Sequence, residues 1–349
     1  MTNNLIGTDG FEFVEFTSPN PDRLREGFEK LGFSLIGTHR RKEVQLFRQN
    51  DIHFILNREP KSSAASFAEQ HGDSANAMAF RVLDAERAMK LAIERGATAA
   101  KSDVGPMELS IPAVAGVGGS LIYLVDRYGD KTIYDVDFVL DSANIEDSGG
   151  PLSHVDHLTH NLERGNLSKL ADFYEQVFDF HEAQRFQIHG VQTGLVSKAM
   201  TGACGKVRIP LNESADDQSQ IEEFLQRYHG EGIQHIALHT DDIYSAVDTL
   251  TRNGVEFQST PDTYYEMLGE RVKDHGQDVQ AMHERQILID GSPDEGFLLQ
   301  IFTQDMVGPI FFEIIQRLGN KGFGEGNFQA LFESIERDQQ RRGVLNETV

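Results

Sequence analysis

Apolar and polar positions along this chain alternate in blocks, and the blocks repeat. GFEFVEFTSPNPDRLREGFEKLGFSLIGTHR near the start and HVDHLTHNLERGNLSKLADFYEQVFDFHEAQRF from residue 154 both run strand, turn, helix and a Phe-rich turn into a new strand. ANAMAFRVLDAERAMKLAIERGA (75–97) and GIQHIALHTDDIYSAVDTLTRNGV (232–255) form a second pair. Gly96 follows Ala77 at the same interval as Gly254 follows His235; glycine there fits the left-handed end of a helix. A third pair sets 120–138 against 297–315, each predicted as strand, turn, strand. One-sided helical stripes appear at Leu170, Phe173, Tyr174 and Val177, and at Tyr244, Val247 and Leu250.

Four βαβββ modules follow, two in each half. Helices on one side of antiparallel strands make an α+β class. The expected architecture is two tandem domains, each of paired modules forming a curled, partly open antiparallel barrel with helices outside. The polar, Gly-rich stretch DSANIEDSGGPLS (141–153) reads as the linker. It separates a scaffold domain at 1–148 from a domain at 152–349 that carries the chemistry.

The repeat isolates three residues. Aligned on the first strands, Phe13 falls opposite His157; Ala77 falls opposite His235, and Val136 opposite Glu313. Two histidines and one carboxylate suit a facial Fe(II) site with open positions. Glu313 sits in the apolar run PIFFEIIQR, sharing a strand face with Phe311 and Ile315. Buried without a partner, its carboxylate would cost several kcal/mol, on the order of 5. The bland account is an edge glutamate facing water or paired with Arg317. For His235 it is a hydrogen-bonded core histidine. His157 lies among His154 and His160, which would suit zinc only if that segment were helical.

Composition narrows the classes. Lys and Arg number 32 against 55 Asp and Glu, a formal charge of −23. Such a body repels phosphate backbones and anionic lipid surfaces, which argues against nucleic-acid and membrane partners. The single cysteine, Cys204, excludes an internal disulfide and a cysteine-based metal cage. No run approaches the roughly 18 apolar residues of a membrane span, and the start does not read as a signal peptide. A cytoplasmic protein is expected.

With VDHLTHN, GIQHIAL, LLQIF, FFEIIQR and GFGEGNF in view, the chain resembles the 4-hydroxyphenylpyruvate dioxygenases, within the vicinal-oxygen-chelate fold group. The resemblance covers nearly the whole chain and is strongest from His154 to Gly343. It implies Fe(II) held by His157, His235 and Glu313, with an aryl-pyruvate and O2 as substrates and homogentisate and CO2 as products. It implies tyrosine catabolism, and a homo-oligomer, dimer or tetramer. It also implies substrate contacts from Ser197, Pro210, Asn212, Gln220, Gln234, Gln300, Phe302, Phe311, Phe323, Asn327 and Phe328. Read without it, the phenylalanines are ordinary core, and the polar residues are turn or surface. Asn327 also reads as an N-cap, opening a terminal helix with the stripe Phe328, Leu331, Phe332 and Ile335. Two other functions stay open. One is 4-hydroxymandelate synthase, against which Phe328 argues; the other is a metal-free binding protein on the same fold.

Overall fold

The computed structural model describes residues 3–101, 104–105, 107–189, 194–217 and 219–331. Four βαβββ modules follow one another. The first is β1 (Thr8–Thr17), α1 (Pro21–Lys30), β2 (Ser34–His39), β3 (Val44–Gln49) and β4 (Ile52–Asn57). Helix α2 (Ser63–His71) leads to β5 (Ser74–Val82), α3 (Ala85–Glu94), β6 (Ala113–Ala115), β7 (Leu121–Val125), α4 (Tyr134–Asp137) and β8 (Phe138–Leu140). After α5 (Ser142–Glu146) the third module is β9 (Val155–Leu162), α6 (Leu167–Phe178), β10 (His181–His189), β11 (Gly194–Thr201) and β12 (Arg208–Ser214). Helix α7 (Gln220–Tyr228) then leads to β13 (Gly232–His239), α8 (Ile243–Arg252), α9 (Asp262–Arg271), α10 (Val279–Glu284), β14 (Leu288–Ser292), β15 (Gly296–Phe302) and β16 (Phe311–Leu318).

The repeat extends to the helix ends. Asp84 caps α3 by accepting from Arg87 N, and Asp242 caps α8 by accepting from Ser245 N. Ser62 and Ser219 do the same for α2 and α7. Each cap is worth about 1 kcal/mol. Gly96 and Gly254 take φ of 99° and 89° just beyond α3 and α8, the conformation that glycine tolerates best.

Two eight-stranded sheets result, ordered β6-β7-β5-β1-β4-β3-β2-β8 and β10-β11-β12-β9-β13-β16-β15-β14. One of the two curls into a half-barrel. Both sheets are mixed, not wholly antiparallel. Each module brings its returning strand back beside its first, so β1·β4, β5·β7, β9·β12 and β13·β16 run parallel. The sheets are not identical. β8 leaves its own module and pairs with β2 on the far edge.

That departure corrects the third repeat pair. Ala77 pairs with Leu121 and Ala79 with Tyr123, while His235 pairs with Phe311 and Ala237 with Glu313. Tyr123, not Val136, is therefore the counterpart of Glu313. Val136 lies in α4 and is 40% exposed. The apolar runs of β15 and β16 look alike, so periodicity alone matched β7 to the wrong one.

The linker is also more ordered than its composition suggests. Asp141 caps α5 through Ala143 N and Asn144 N. Asn50 then donates to the carbonyls of Gly150 and Leu152, and Gln49 accepts from Leu152 N. The apolar core is shared between the halves rather than split into two. Phe312 packs against Phe54 at 5.8 Å between ring centroids, and Phe178 against Phe80 at 5.3 Å. A separate cluster of Phe13, Leu46, Ile55, Tyr134 and Phe138 fills the inside of the first sheet.

Two histidines are held in the neutral form, His53 partly buried and His160 fully so. Burial first, then the nearby Arg48, pushes His53 down to about 4; burial pushes His160 down to about 3. The unfolded chain takes up these protons near pH ~6.5. Stability is therefore whole above that pH and falls as pH drops from there towards the folded values. At about 1.4 kcal/mol per pKa unit, each ring costs roughly 2 kcal/mol by pH ~5. Urea midpoints taken at pH 7 and pH 5 should show this loss. His53→Gln should shrink it by about half, and an unchanged pH slope in that variant would refute the assignment.

Candidate metal centre

Three neighbouring strands, β9, β13 and β16, each send one ligand-type side chain inward. His157, His235 and Glu313 are 1%, 5% and 2% exposed. Their ligand atoms all lie within 4.8 Å of one another. Glu313 Oε2 stands 3.3 Å from His157 Nε2 and 3.4 Å from His235 Nε2. Two ligands ~2.1 Å from one ion and at right angles stand about 3 Å apart, so the spacing suits a divalent cation. The pleat explains the selection. Phe312 and Ile314 face the shared core, and Glu313 between them faces the opposite side.

The electrostatics agree with a cation site. Burial pushes the Glu313 carboxyl up, but His157 and His235 outweigh it and hold it below its ordinary value. Burial pushes His157 down, and Glu313 and Asp156 overcome this and raise it. Burial wins at His235, which is lowered. Glu313 Oε1 has no hydrogen-bond partner among the described residues. A buried carboxylate oxygen left bare is costly, and a metal ion would satisfy it. Among the described residues, His235 Nε2 meets the Thr159 hydroxyl, at 3.0 Å, and Glu313. Both imidazoles engage an acceptor through Nδ1, which leaves Nε2 as the ligating atom. The residues present therefore fit a metal.

The histidine-rich segment around His157 does not make a second site. His160 lies three residues on, turns away from the triad and meets the Tyr174 hydroxyl at 2.9 Å.

The triad opens into a cavity of about 420 Å³. Of the sequence-predicted contacts, Ser197, Pro210, Asn212, Gln220, Gln234, Phe302, Phe311, Phe323 and Phe328 line it. Phe311 stacks on the His235 ring at 5.1 Å, and Phe323 meets His157 edge-on at 5.4 Å. Across β11, β12 and β9, Ser197 donates to Asn212 Oδ1 at 2.8 Å and Asn212 donates to Asn161 Oδ1 at 3.3 Å. This polar row shares the lining with the aromatic rings.

Two predicted contacts lie behind the lining. Gln300 is fully buried and accepts from Asn327 Nδ2 at 3.2 Å. Asn327 is not an N-cap either. The chain is already helical from 325, and the Asn327 side chain accepts from the Tyr264 hydroxyl at 2.6 Å and from Arg271. A buried tyrosine and arginine compete for the amide that a cap would have used. Phe328 and Leu331 of the expected stripe line the cavity; Phe332 and Ile335 lie outside the described residues.

Sequence reasoning missed Thr159, Asn161, Phe186, Leu195, Ile221, Gln258, Ser259 and Pro261 in the lining. It also missed Asp156, which is 1% exposed and meets His157 Nδ1 at 2.9 Å. Burial pushes that carboxyl up, but Arg317 and His157 hold it well below its usual range. Alternation along β9 gave the inward positions of Thr159 and Asn161, and could have found them. Nothing in the sequence pattern marks Asp156.

Comparison with known proteins bears on the family. Residues 2–139 match the family described as "Hydroxyphenylpyruvate dioxygenase, HPPD, N-terminal", and residues 154–286 match the "Glyoxalase/Bleomycin resistance protein/Dioxygenase superfamily". The chain is 57% identical to a 4-hydroxyphenylpyruvate dioxygenase of Pseudomonas aeruginosa, over 98% of this chain and 97% of that one. It is also 57% identical to the protein named hemolysin VllY of Vibrio vulnificus, over 98% of each. Among solved structures, a mutant 4-hydroxymandelate synthase from Streptomyces coelicolor superposes with a TM-score of 0.82 at 28% identity, covering 95% of this chain and 99% of that one. No helix among the described residues is long and apolar enough to cross a membrane. The near-complete coverage at this identity, joined to the buried two-histidine, one-carboxylate centre, makes the chain a member of the 4-hydroxyphenylpyruvate dioxygenase family.

Proposed function

We propose that this protein is an Fe(II)-dependent dioxygenase that converts 4-hydroxyphenylpyruvate and O2 to homogentisate and CO2. The observation that carries the reading is the His157–His235–Glu313 triad opening into a cavity lined by phenylalanines together with amide and hydroxyl side chains. The division of labour follows. Residues 1–148 are the scaffold, and residues 152–349 hold the chemistry. The reading also makes the protein a cytoplasmic homo-oligomer, a dimer or tetramer.

His157, His235 and Glu313 would hold the iron. Bound Fe(II) supplies a chelation point for the 2-oxo acid and the electrons for O2 chemistry. The chain supplies binding, orientation and exclusion of water. Phe323 and Phe328 bracket the substrate ring, and Phe302 and Phe311 close the wall beside the triad. Ser197, Asn212, Gln220 and Gln234 orient the polar ends of the substrate. Gln300 and Asn327 act from behind the lining, by bracing the segment that carries Phe323 and Phe328.

Both oxygen atoms of O2 are accounted for. One leaves in the new carboxylate after CO2 is lost from the side chain. The other becomes the new ring hydroxyl as the side chain migrates. 4-Hydroxymandelate synthesis is the second reading, favoured by the superposition on that synthase.

Two outcomes are expected. Anaerobic loading with Fe(II), followed by 4-hydroxyphenylpyruvate and O2, gives oxygen uptake and homogentisate. Glu313→Ala abolishes uptake and leaves the purified protein without bound iron. 4-Hydroxymandelate as product would assign the second reading, and no oxygen uptake by the iron-loaded wild type would sink both.

Protons compete with iron for the two Nε2 atoms. His157, whose proton affinity is raised by Glu313 and Asp156, strengthens that competition, so iron affinity should fall as pH drops. Full iron retention after dialysis at pH 5 counts against these ligands.

Asn212→Leu removes one oriented amide from the cavity. A hydrogen bond of about 1.5–3 kcal/mol to a charged or polarised substrate group makes the loss in kcat/KM roughly 10- to 100-fold, with iron content unchanged. Unaltered kcat/KM would remove Asn212 from the substrate contacts.

A further inference from the structure

Both histidines of the triad follow directly on the extra residue of a β-bulge. Between β9 and β13, His157 stands opposite Ala237 and Val155 opposite Leu238, which leaves Asp156 unpaired. Further along, His235 stands opposite Thr159 and Ile233 opposite His160, which leaves Gln234 unpaired. On a regular strand, neighbouring side chains point to opposite faces. A bulge sets two residues of one strand against one of its partner and re-aims a side chain. Each bulge residue thereby reaches its following histidine. Asp156 Oδ1 accepts from His157 Nδ1 at 2.9 Å, and Gln234 Oε1 accepts from His235 Nδ1 at 2.5 Å.

The two acceptors differ. Gln234 is a neutral amide at the cavity wall. Asp156 is a carboxylate clamped on both oxygens. Arg317 donates to Oδ1 and Oδ2 at 2.7 Å each, and Arg208 donates to Oδ2 at 3.2 Å. Arg317 also donates to the carbonyls of Asn320 and Gly322, on the turn that leads to Phe323. Because a carboxylate can only accept, Asp156 fixes His157 as the Nδ1–H tautomer and turns Nε2 to the centre of the triad.

The first half contains a matched control. Phe11 stands opposite Phe80 and Phe13 opposite Ala79, so Glu12 is the extra residue of the equivalent bulge. Glu12 too is buried, and it meets Arg81 at 2.6 Å. The residue after it is Phe13, which offers no imidazole. An acid–arginine pair at this bulge therefore belongs to the fold in both halves. Glu12 Oε1 lies 3.9 Å from His53 Nδ1, but His53 joins no metal-ligand cluster among the described residues; only in the second half does the acid reach a member of the triad.

We propose that Asp156, set by Arg317 and Arg208, is the positioning residue of the metal centre: it aims His157 Nε2 and makes His157 the stronger of the two imidazole donors. The proposal rests on the triad's being the metal site. Its role is separable from folding, because Glu12 keeps the structural share of the same device without a metal.

The test is a titration of the metal-free full chain with Co(II) alone, read by its visible absorption, with no substrate or oxygen chemistry involved. Asp156→Asn should weaken Co(II) binding roughly 10- to 100-fold, the usual range for such partners of a ligand histidine. Glu12→Gln should lower the Tm and leave Co(II) affinity within about twofold of wild type, as distant sites without shared partners act independently. Arg317→Lys, which loses the two-pronged contact but keeps the charge, should weaken Co(II) binding by a smaller factor; it carries the test if Asp156→Asn does not fold. Wild-type affinity in Asp156→Asn or, failing that variant, in Arg317→Lys overturns the proposal alone. So does an equal loss in Glu12→Gln. Absence of Co(II) binding by the wild type overturns the triad, and the proposal with it.

Discussion

Glu313 is a carboxylate placed at the middle of an apolar strand, 2% exposed, with core residues on either side of it. Removing such a charge from water costs several kcal/mol even after relaxation, on the order of 5. The strand order decides how that cost is met. β16 lies beside β13, and β13 beside β9, so the inward positions of three successive strands fall next to one another. His157 and His235 partly offset the charge in the protein alone, and a divalent ion would offset it fully. The rest of the second half is arranged around this need: bulges re-aim the histidines, Arg317 and Arg208 anchor the acid behind His157, and Phe311 and Phe323 cover the rings.

The first half shows what the same strands do when that need is absent. Phe13, Ala77 and Tyr123 hold the positions of His157, His235 and Glu313. Phe13 and Tyr123 pack at 5.6 Å between ring centroids. The segment carrying Tyr134 and Phe138 crosses to the far edge of the sheet and fills its interior. In the second half, β14 to β16 stay together on one side, and the interior remains open under Phe323 and Phe328. The difference between the two halves is therefore one of connection as well as of side chains.

This explains how much of the protein was legible in its sequence. The module repeat, the helix ends at Gly96 and Gly254 and the pairing of Phe13 with His157 follow from short-range periodicity, and periodicity is what a sequence displays. Glu313 stood out because a charge inside PIFFEIIQR is costly wherever the strand lies. Its counterpart was misplaced because β8 changes partners, a long-range event that no local pattern records. Asp156 was invisible for a related reason. Alternation assigns it to the face opposite His157, and only the register with β13 reveals the bulge. Asn327 looked like a cap until Tyr264 and Arg271, distant in sequence, claimed its amide.

The charge of the molecule bears on what the cavity can hold. The chain carries a formal −23, and no Lys or Arg among the described residues lines the cavity. An anionic keto acid entering it meets aromatic rings, amides and hydroxyls, none of them positively charged. Arg317 and Arg208 lie close by, but Asp156 already occupies them. The positive charge available to such a ligand is thus the one that the triad would hold, where a divalent ion and a single carboxylate leave one net positive charge. Amides and hydroxyls replace only part of the hydration of a carboxylate that does not reach that ion. Under the proposed function, the wall therefore selects for an aryl group and leaves recognition of the acid to the metal, which favours ligands whose carboxylate and aromatic ring are separated by the distance from triad to phenylalanine wall.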